Sequence, residues 1–455
     1  MNSSPLSGAL RVAIVLGLLA APALRATDPI PPSALVVDGP ALLQEWSPPA
    51  YPEAARQAKK EGRVEVDLIV DEHGAVTDAQ VADATDPVFA PPALEAVRRW
   101  KFKPALDDGK PVASGMTAPV VFSLASPKLK PPYGLPPQTQ WPAPAKRKAP
   151  RVANAVDPDY PEELDPRKLP GEVQLELGIG VDGRVASRRV LWASHGAFVA
   201  EALRVAERWT FEPARQGLLA RPATMRAPVS FVSVGARRPE ICAANGLRLA
   251  DESEVDVWPE PVVMQEPVYP RERLVAGEEG SAEATFVISP RGGVTEFALG
   301  ECSAPEFGAA LAAAVDAWYF RPGLKGGNNV PVRVALRHEF RRTEGGALLR
   351  LAAALAENKI GSARGLDAPL EVVWRGFPAY PEALRATKPT GEAEVEFVID
   401  RDGRARAPRV VSATLPEFGW AAATAVNQWV FAPPRRGGEP TDVLVRVPLR
   451  FNATE

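Results

Sequence analysis

Between residues 64 and 70 apolar and polar side chains alternate: Val64, Val66, Leu68 and Val70 on one face, Glu65 and Asp67 on the other. A period of two predicts a strand with one buried face. The same alternation returns at Val173, Leu175, Leu177 and Ile179, at Ala282, Ala284, Phe286 and Ile288, and at Ala393, Val395, Phe397 and Ile399. Glycine-bearing turns follow, Asp71-Glu72-His73-Gly74 and Asp400-Arg401-Asp402-Gly403 among them, and predict hairpins, because glycine supplies positive φ. A second strand runs from Ala75 to Ala84. Ahead of the first strand, Glu53 to Lys60 are helix formers behind Pro52, which suits a first helical turn, and Gly62 ends that helix. Beyond the hairpin, Pro92 to Arg99 predict a second helix, with Leu94, Val97 and Trp100 on one stripe. A closing strand completes the unit: Pro119 to Phe122, Pro228 to Phe231, Val445 to Pro448. The fold class is α+β: four tandem small modules, each an antiparallel sheet with helices on one face.

The copies keep one ruler. Each begins at a Tyr-Pro pair, at Tyr51, Tyr160, Tyr269 and Tyr380. Glycines stand 11 and 23 residues on, a phenylalanine 38 on, and a tryptophan 49 on, at Trp100, Trp209, Trp318 and Trp429. Each tryptophan leads to a phenylalanine and then a proline, as in Phe102 and Pro104. A period held without insertion means packed structure. The tyrosines, tryptophans and phenylalanines are expected to be core. The first helix is expected to be irregular in module two, where Asp165-Pro166 and Pro170 leave barely one turn, and in module three, which carries Gly277.

The 455 residues divide as a signal peptide (1–26), module one (37–125), a proline-rich linker (126–150), module two (151–234), a linker plus module three (235–342), a helical linker (343–366) and module four (367–455). Much of the proline excess, 49 residues in all, falls between modules and marks spacers. The third linker contains Ala347 to Lys359, a short helix with Leu348, Leu351 and Leu355 on one face. The apolar run Val12 to Ala21 is broken by Pro22 and Arg25, too early for an uncleaved anchor of about 20 residues. Export makes a Cys242–Cys302 disulfide the expected state of the two cysteines. A formal charge of −3 with mixed signs gives no case for nucleic acid. The three histidines, His73, His195 and His338, fall in different modules without metal-ligand spacing, and Ser194-His195-Gly196 lacks nucleophile context. Carboxylates such as Glu65 and Asp67 read as a solvated face. Enzymatic chemistry, metals and cofactors are not expected.

The ruler resembles the C-terminal domain of the TonB energy-transducer family. The matching features are Tyr51-Pro52, Gly62, the Asp71 to Gly74 turn, Trp100-Lys101-Phe102-Lys103-Pro104 and the strand from Val120 to Phe122, repeated in all four copies. The resemblance implies a periplasmic α+β module that binds an extended segment of an outer-membrane transporter by adding it to a sheet edge. A family energy transducer has one such domain, an uncleaved N-terminal helix and a long proline-rich spacer. This chain carries the pattern four times, and its N-terminus is expected to be cleaved.

The expectation is a periplasmic, non-enzymatic protein that binds envelope proteins, TonB-dependent outer-membrane transporters among them, through its closing strands. The candidate edges are Val120 and Phe122, Val229 and Phe231, Arg333, Val334, Ala335 and Leu336, and Val443, Val445 and Val447. Pro119, Pro228 and Pro448 lack the donor a central strand needs, which predicts edge positions. Module three carries Arg337 there and is the foremost expected binding edge, followed by module four. The alternatives are a membrane-anchored energy transducer facing the periplasm and a scaffold whose sheet edges satisfy one another.

Overall fold

The computed structural model describes residues 40–107, 109–124, 138, 141, 148–232, 235–249, 255–342 and 346–452. The expected signal peptide and most of the first spacer lie outside the described residues. The chain forms two compact units, one holding module one and the other holding modules two to four.

Module one contains α1 (Glu53–Gln57), β1 (Gly62–Val70), β2 (Val76–Ala84), α2 (Ala90–Val97) and β3 (Ser114–Phe122). Its sheet has the order β2-β1-β3, antiparallel throughout. Module two repeats this with β4 (Gly171–Ile179), β5 (Val185–Ala193), α3 (Ala197–Glu207) and β6 (Ala223–Phe231), in the order β5-β4-β6.

Module three begins in the linker with α4 (Arg238–Ala244) and β7 (Leu247–Leu249). It continues through α5 (Arg271–Ala276), β8 (Gly280–Ile288), β9 (Val294–Cys302), α6 (Pro305–Asp316) and β10 (Val332–Phe340). The third linker folds as α7 (Gly346–Ala356) and β11 (Gly361–Ser362). Module four has β12 (Gly391–Ile399), β13 (Ala405–Ala413), α8 (Pro416–Val426) and β14 (Val443–Phe451).

The alternating strands bury the residues expected: Val64, Val66, Leu68 and Val70 are all fully buried. First helices differ between copies. Modules two and four have only 3-10 turns, at Glu162–Arg167 and Glu382–Leu384. In module three Gly277 does not break the helix: at φ 78° it is the left-handed C-cap of α5. The glycine 11 residues after each tyrosine, by contrast, does not cap a helix. It opens the first strand, and a Cβ on Gly171 would lie 2.2 Å from the Phe198 ring. That phenylalanine stacks 4.5 Å from Phe231 of the closing strand, and Phe89–Phe122, Phe307–Phe340 and Phe418–Phe451 repeat the pair at 4.4–4.5 Å.

One element was not read from the sequence. In every module a short strand ahead of the Tyr-Pro pair joins the residues just after the tryptophan, as Leu42–Glu45 joins Lys101–Lys103. Each indole N–H donates to a carbonyl 53 residues upstream: Trp100 to Ser47, Trp209 to Val156, Trp318 to Gln265 and Trp429 to Gly376, at 2.8–3.0 Å. The tryptophans are thus core side chains whose polar edge fastens the incoming segment. The tyrosine hydroxyls bridge nine residues forward, Tyr51 to Lys60, Tyr160 to Leu169, Tyr269 to Glu278 and Tyr380 to Pro389.

The expected disulfide is absent: both cysteines are free, Cys242 buried and Cys302 exposed. Cys242 sits on α4, which packs beside β7, while Cys302 ends β9. These strands are opposite edges of a sheet ordered β7-β10-β8-β9. Three strand spacings, about 14 Å, exceed the roughly 7 Å between Cα atoms that a disulfide tolerates.

Candidate binding edge and the junction of modules two to four

A strand can add only where a flank is open. In module three β10 pairs with β8 on one side and with β7 on the other, Leu336 facing Leu247, Ala335 facing Arg248 and Val334 facing Leu249. The stretch expected as the foremost binding edge is therefore an interior strand. Leu247, Leu249, Ile241 and Cys242 are buried in the module's core, so apolar burial holds the linker in place there. In module four β14 is covered only at Val443 and Leu444, by β11 running parallel. Val445 and Val447 have no partner on their outer flank among the described residues. β3 and β6 are edge strands among the described residues. The side chains of Val120, Phe122, Val229 and Phe231 point into the core, so only main chain is on offer.

The proline rule acquires a geometric cause here. Arg337 N–H donates to the Gly246 carbonyl of the linker at 3.4 Å, so this position faces outward. Pro119, Pro228 and Pro448 occupy the corresponding place opposite Glu65, Gln174 and Glu394, as Arg337 does opposite Glu283. Each removes one outward donor. N–H groups alternate in direction along a strand, so the outward donors left on β6 belong to Thr224, Arg226 and Ser230, all exposed. The closing strands hold nine-residue registers without a shift. The opposite-edge strands β2, β5, β9 and β13 each carry two irregularities, which blunt an edge against pairing.

Modules two to four are joined by buried polar contacts. Arg271 on α5 donates from Nη1 to Glu396 Oε1, from Nη2 to the Glu396 carbonyl and from Nε to the Ala407 carbonyl, each at 2.7 Å. Burial alone would raise the Glu396 carboxyl, but hydrogen bonds from Arg446 and Arg271 and the charge of Arg409 hold it below the usual range. Glu163 of module two pairs with Arg404 at 2.6 Å and Arg406 at 3.1 Å from module four. Burial opposes its ionisation, yet these two guanidinium charges bring it down to about 2. Arg167 reaches Asn245 Oδ1 at 2.7 Å and the Met264 carbonyl at 3.1 Å in module three. Gly196 N–H donates to Gln428 Oε1 at 3.1 Å, while Trp374 and Val430 of module four pack into the core of module two.

A cavity of about 670 Å³ remains where the three modules meet, and His195 and His338 both line it. The fold brings together two histidines that sequence placed in separate modules. The outward carboxylate positions also differ from expectation. Asp67 is buried, accepting from Thr117 Oγ1 at 2.6 Å, and Glu396 is 4% exposed. Among the described residues no cluster of three His, Cys, Asp or Glu side chains could hold a metal ion, and no helix is long and apolar enough to cross a membrane.

Comparison with known proteins bears on the repeat unit. The family model for the Gram-negative bacterial TonB protein C-terminal matches residues 47–124, 156–232, 265–341 and 377–453. Protein TonB of Vibrio cholerae is 35% identical over 91 residues, 20% of this chain and 37% of that protein. Protein TonB of Xanthomonas campestris is 33% identical over 82 residues, 18% of this chain and 37% of that protein. The chain thus spans little more than a third of the length of these relatives. The solution structure of the Pseudomonas aeruginosa TonB C-terminal domain is 25% identical, with a TM-score of 0.18, over 21% of this chain and 93% of that one. With four matches covering more than half of its length, the chain belongs to the TonB C-terminal domain family, carrying the domain in four tandem copies.

Proposed function

We propose that this chain is a non-enzymatic protein of the cell envelope that recognises extended segments of partner proteins, TonB-dependent outer-membrane transporters among them, by strand addition at β6 of module two. The observation that carries this reading is the contrast between the closing strands. β10 is already occupied by β7, whereas β6 runs unbroken in register with exposed outward residues and no outer partner among the described residues. In module one Thr117 and Pro119 at the corresponding outward positions are buried, and in module four β11 takes the first two residues. Module two is thus the primary site, with modules one and four as secondary edges and module three as a structural member.

Photo-cross-linking in intact cells tests it. A reactive residue at Ser230 captures an envelope protein, and Arg226→Pro, which removes an outward donor and spares the pairing with β4, abolishes capture. Cross-links that come only from module three, or that persist in Arg226→Pro, would refute the assignment. A scaffold reading draws on β7 closing module three; absence of any captured protein favours it.

A further inference from the structure

His195 stands where module two meets module four. It is 7% exposed, and its Nδ1 accepts from Ala197 N–H at 3.1 Å. The neutral ring therefore carries its proton on Nε2, which has no hydrogen-bond partner among the described residues. The next residue, Gly196, is pressed so closely to module four that a Cβ there would lie 2.3 Å from the Gln428 carbonyl oxygen. His338 enters the same cavity from β10 of module three, its ring edge-on to Phe340 at 4.6 Å, and it too makes no hydrogen bond through its ring among the described residues.

The charges around these rings decide what a proton does. The wall holds Arg167 from module two, Arg341 just after β10, Arg404 just before β13 and Arg406 on β13; Glu162 and Glu163, Glu266 and Glu339 line it too. Glu163 is already committed to Arg404 and Arg406. For His195, burial and then the charges of Arg404 and Arg167 outweigh the attraction of Glu163 and favour the neutral ring. For His338, burial dominates, with Glu266 opposing and Arg167 assisting, and brings it down to about 4.

We propose that this junction is an acid-sensitive latch: protonation of His195 and His338 inside the cavity loosens the packing of modules two, three and four on one another. The open state exposes both rings to water and binds protons at the ordinary histidine value of about 6.5. The closed state resists protonation, so its advantage is complete above about 6.5 and declines as pH falls from there towards 4. Within that window each pH unit shifts the equilibrium by up to about tenfold per histidine. Glu163, at about 2, stays ionised throughout, so the Glu163 ion pairs are not what gives way first. Asp316, at the neighbouring seam, is raised to about 6 and acts in the opposite sense, offsetting part of the effect.

The test uses the full chain at pH 7.5 and pH 5.0. Small-angle scattering is expected to show a larger radius of gyration for the unaltered chain at pH 5.0, while His195→Gln/His338→Gln stays at one size at both values. Equal expansion of both proteins, or none in either, overturns the proposal. A second measurement covers the case where the double variant fails to fold. Imidazole proton resonances of the unaltered chain, which has three histidines, are followed from pH 8 to 4. Two of them holding the neutral shift well below pH 6 until the chain expands supports the latch. All three moving together with a free histidine standard overturns it.

Discussion

The guanidinium of Arg271 reaches out of module three to the carboxylate of Glu396 in module four, 2.7 Å away, and neither side chain is more than 7% exposed. Glu396 occupies an outward position on β12, where a lone module would hold it in water. A second module covers that face, so the charge needs a partner. Glu396 keeps Arg409 and Arg446 if Arg271 is lost, at 2.8 and 2.7 Å. Arg271 has no other carboxylate in ion-pair contact among the described residues if Glu396 is lost. Glu396→Ala is therefore expected to cost about 3–5 kcal/mol and Arg271→Ala about 2 kcal/mol less. Urea unfolding of the two variants checks the order, and Arg271→Ala proving the worse would contradict it.

Two turn glycines, one in module two and one in module four, give a matched test. Gly183 has φ 78°, and a Cβ there would lie 2.0 Å from the Phe211 carbonyl oxygen. Gly437 also has positive φ, 62°, but nothing lies within 4 Å. Both alanine variants pay for the left-handed backbone, about 1 kcal/mol. Only Gly183→Ala must also displace Phe211, whose N–H donates to the Gly183 carbonyl at 2.8 Å. A thermal melt is expected to show Gly183→Ala lowering the midpoint at least twice as far as Gly437→Ala.

Asp316 at the seam of modules three and four is raised to about 6, first by burial, against the Glu382 N–H that donates to it at 3.3 Å. The folded state holds this proton more tightly than the unfolded chain, whose value is about 3.9. The stability that Asp316 contributes is present below that value and lost as pH rises to about 6. Asp316→Asn abolishes the loss, so the variant should match the parent near pH 4 and exceed it by about 2–3 kcal/mol at pH 7.5. Denaturation midpoints at the two pH values decide it; a variant less stable at pH 7.5 would count against the account.

Cys242 donates its thiol to the Pro259 carbonyl at 3.4 Å, and burial, with the Glu260 charge, pushes it up to about 12. Cys302 is exposed. Maleimide at pH 7.5 is expected to add one label to the native chain, at Cys302, and two after unfolding. Dithiothreitol should leave the melting midpoint unchanged. A native mass two hydrogens short of the dithiol form would restore the disulfide.

The repeating pattern was enough to show four α+β modules, the buried faces of their first strands and the aromatic ladder, because each depends on contacts inside one copy at constant offsets. It also marked the closing strands as edges wherever proline removed an outward donor. What it placed wrongly followed from the linkers and from module packing. Arg337 in place of proline looked like a better edge to offer; in the fold its N–H is already spent on Gly246. The two cysteines lay in one module by sequence but across the width of a four-stranded sheet in space.

Alternation along a strand says which face is polar. It does not say whether water or another module lies against that face. Sequence alone determined the module, since its order is set by local periodicity and by residues whose size and polarity must fit one small core. Only tertiary structure decided that β7 fills the edge of module three, that Glu396 and Arg271 meet away from solvent, and that His195 and His338 share one cavity. Tertiary contacts of this kind join residues up to 243 positions apart, as Glu163 and Arg406 are. Their partners are set by how whole surfaces pack, and no short-range pattern encodes that.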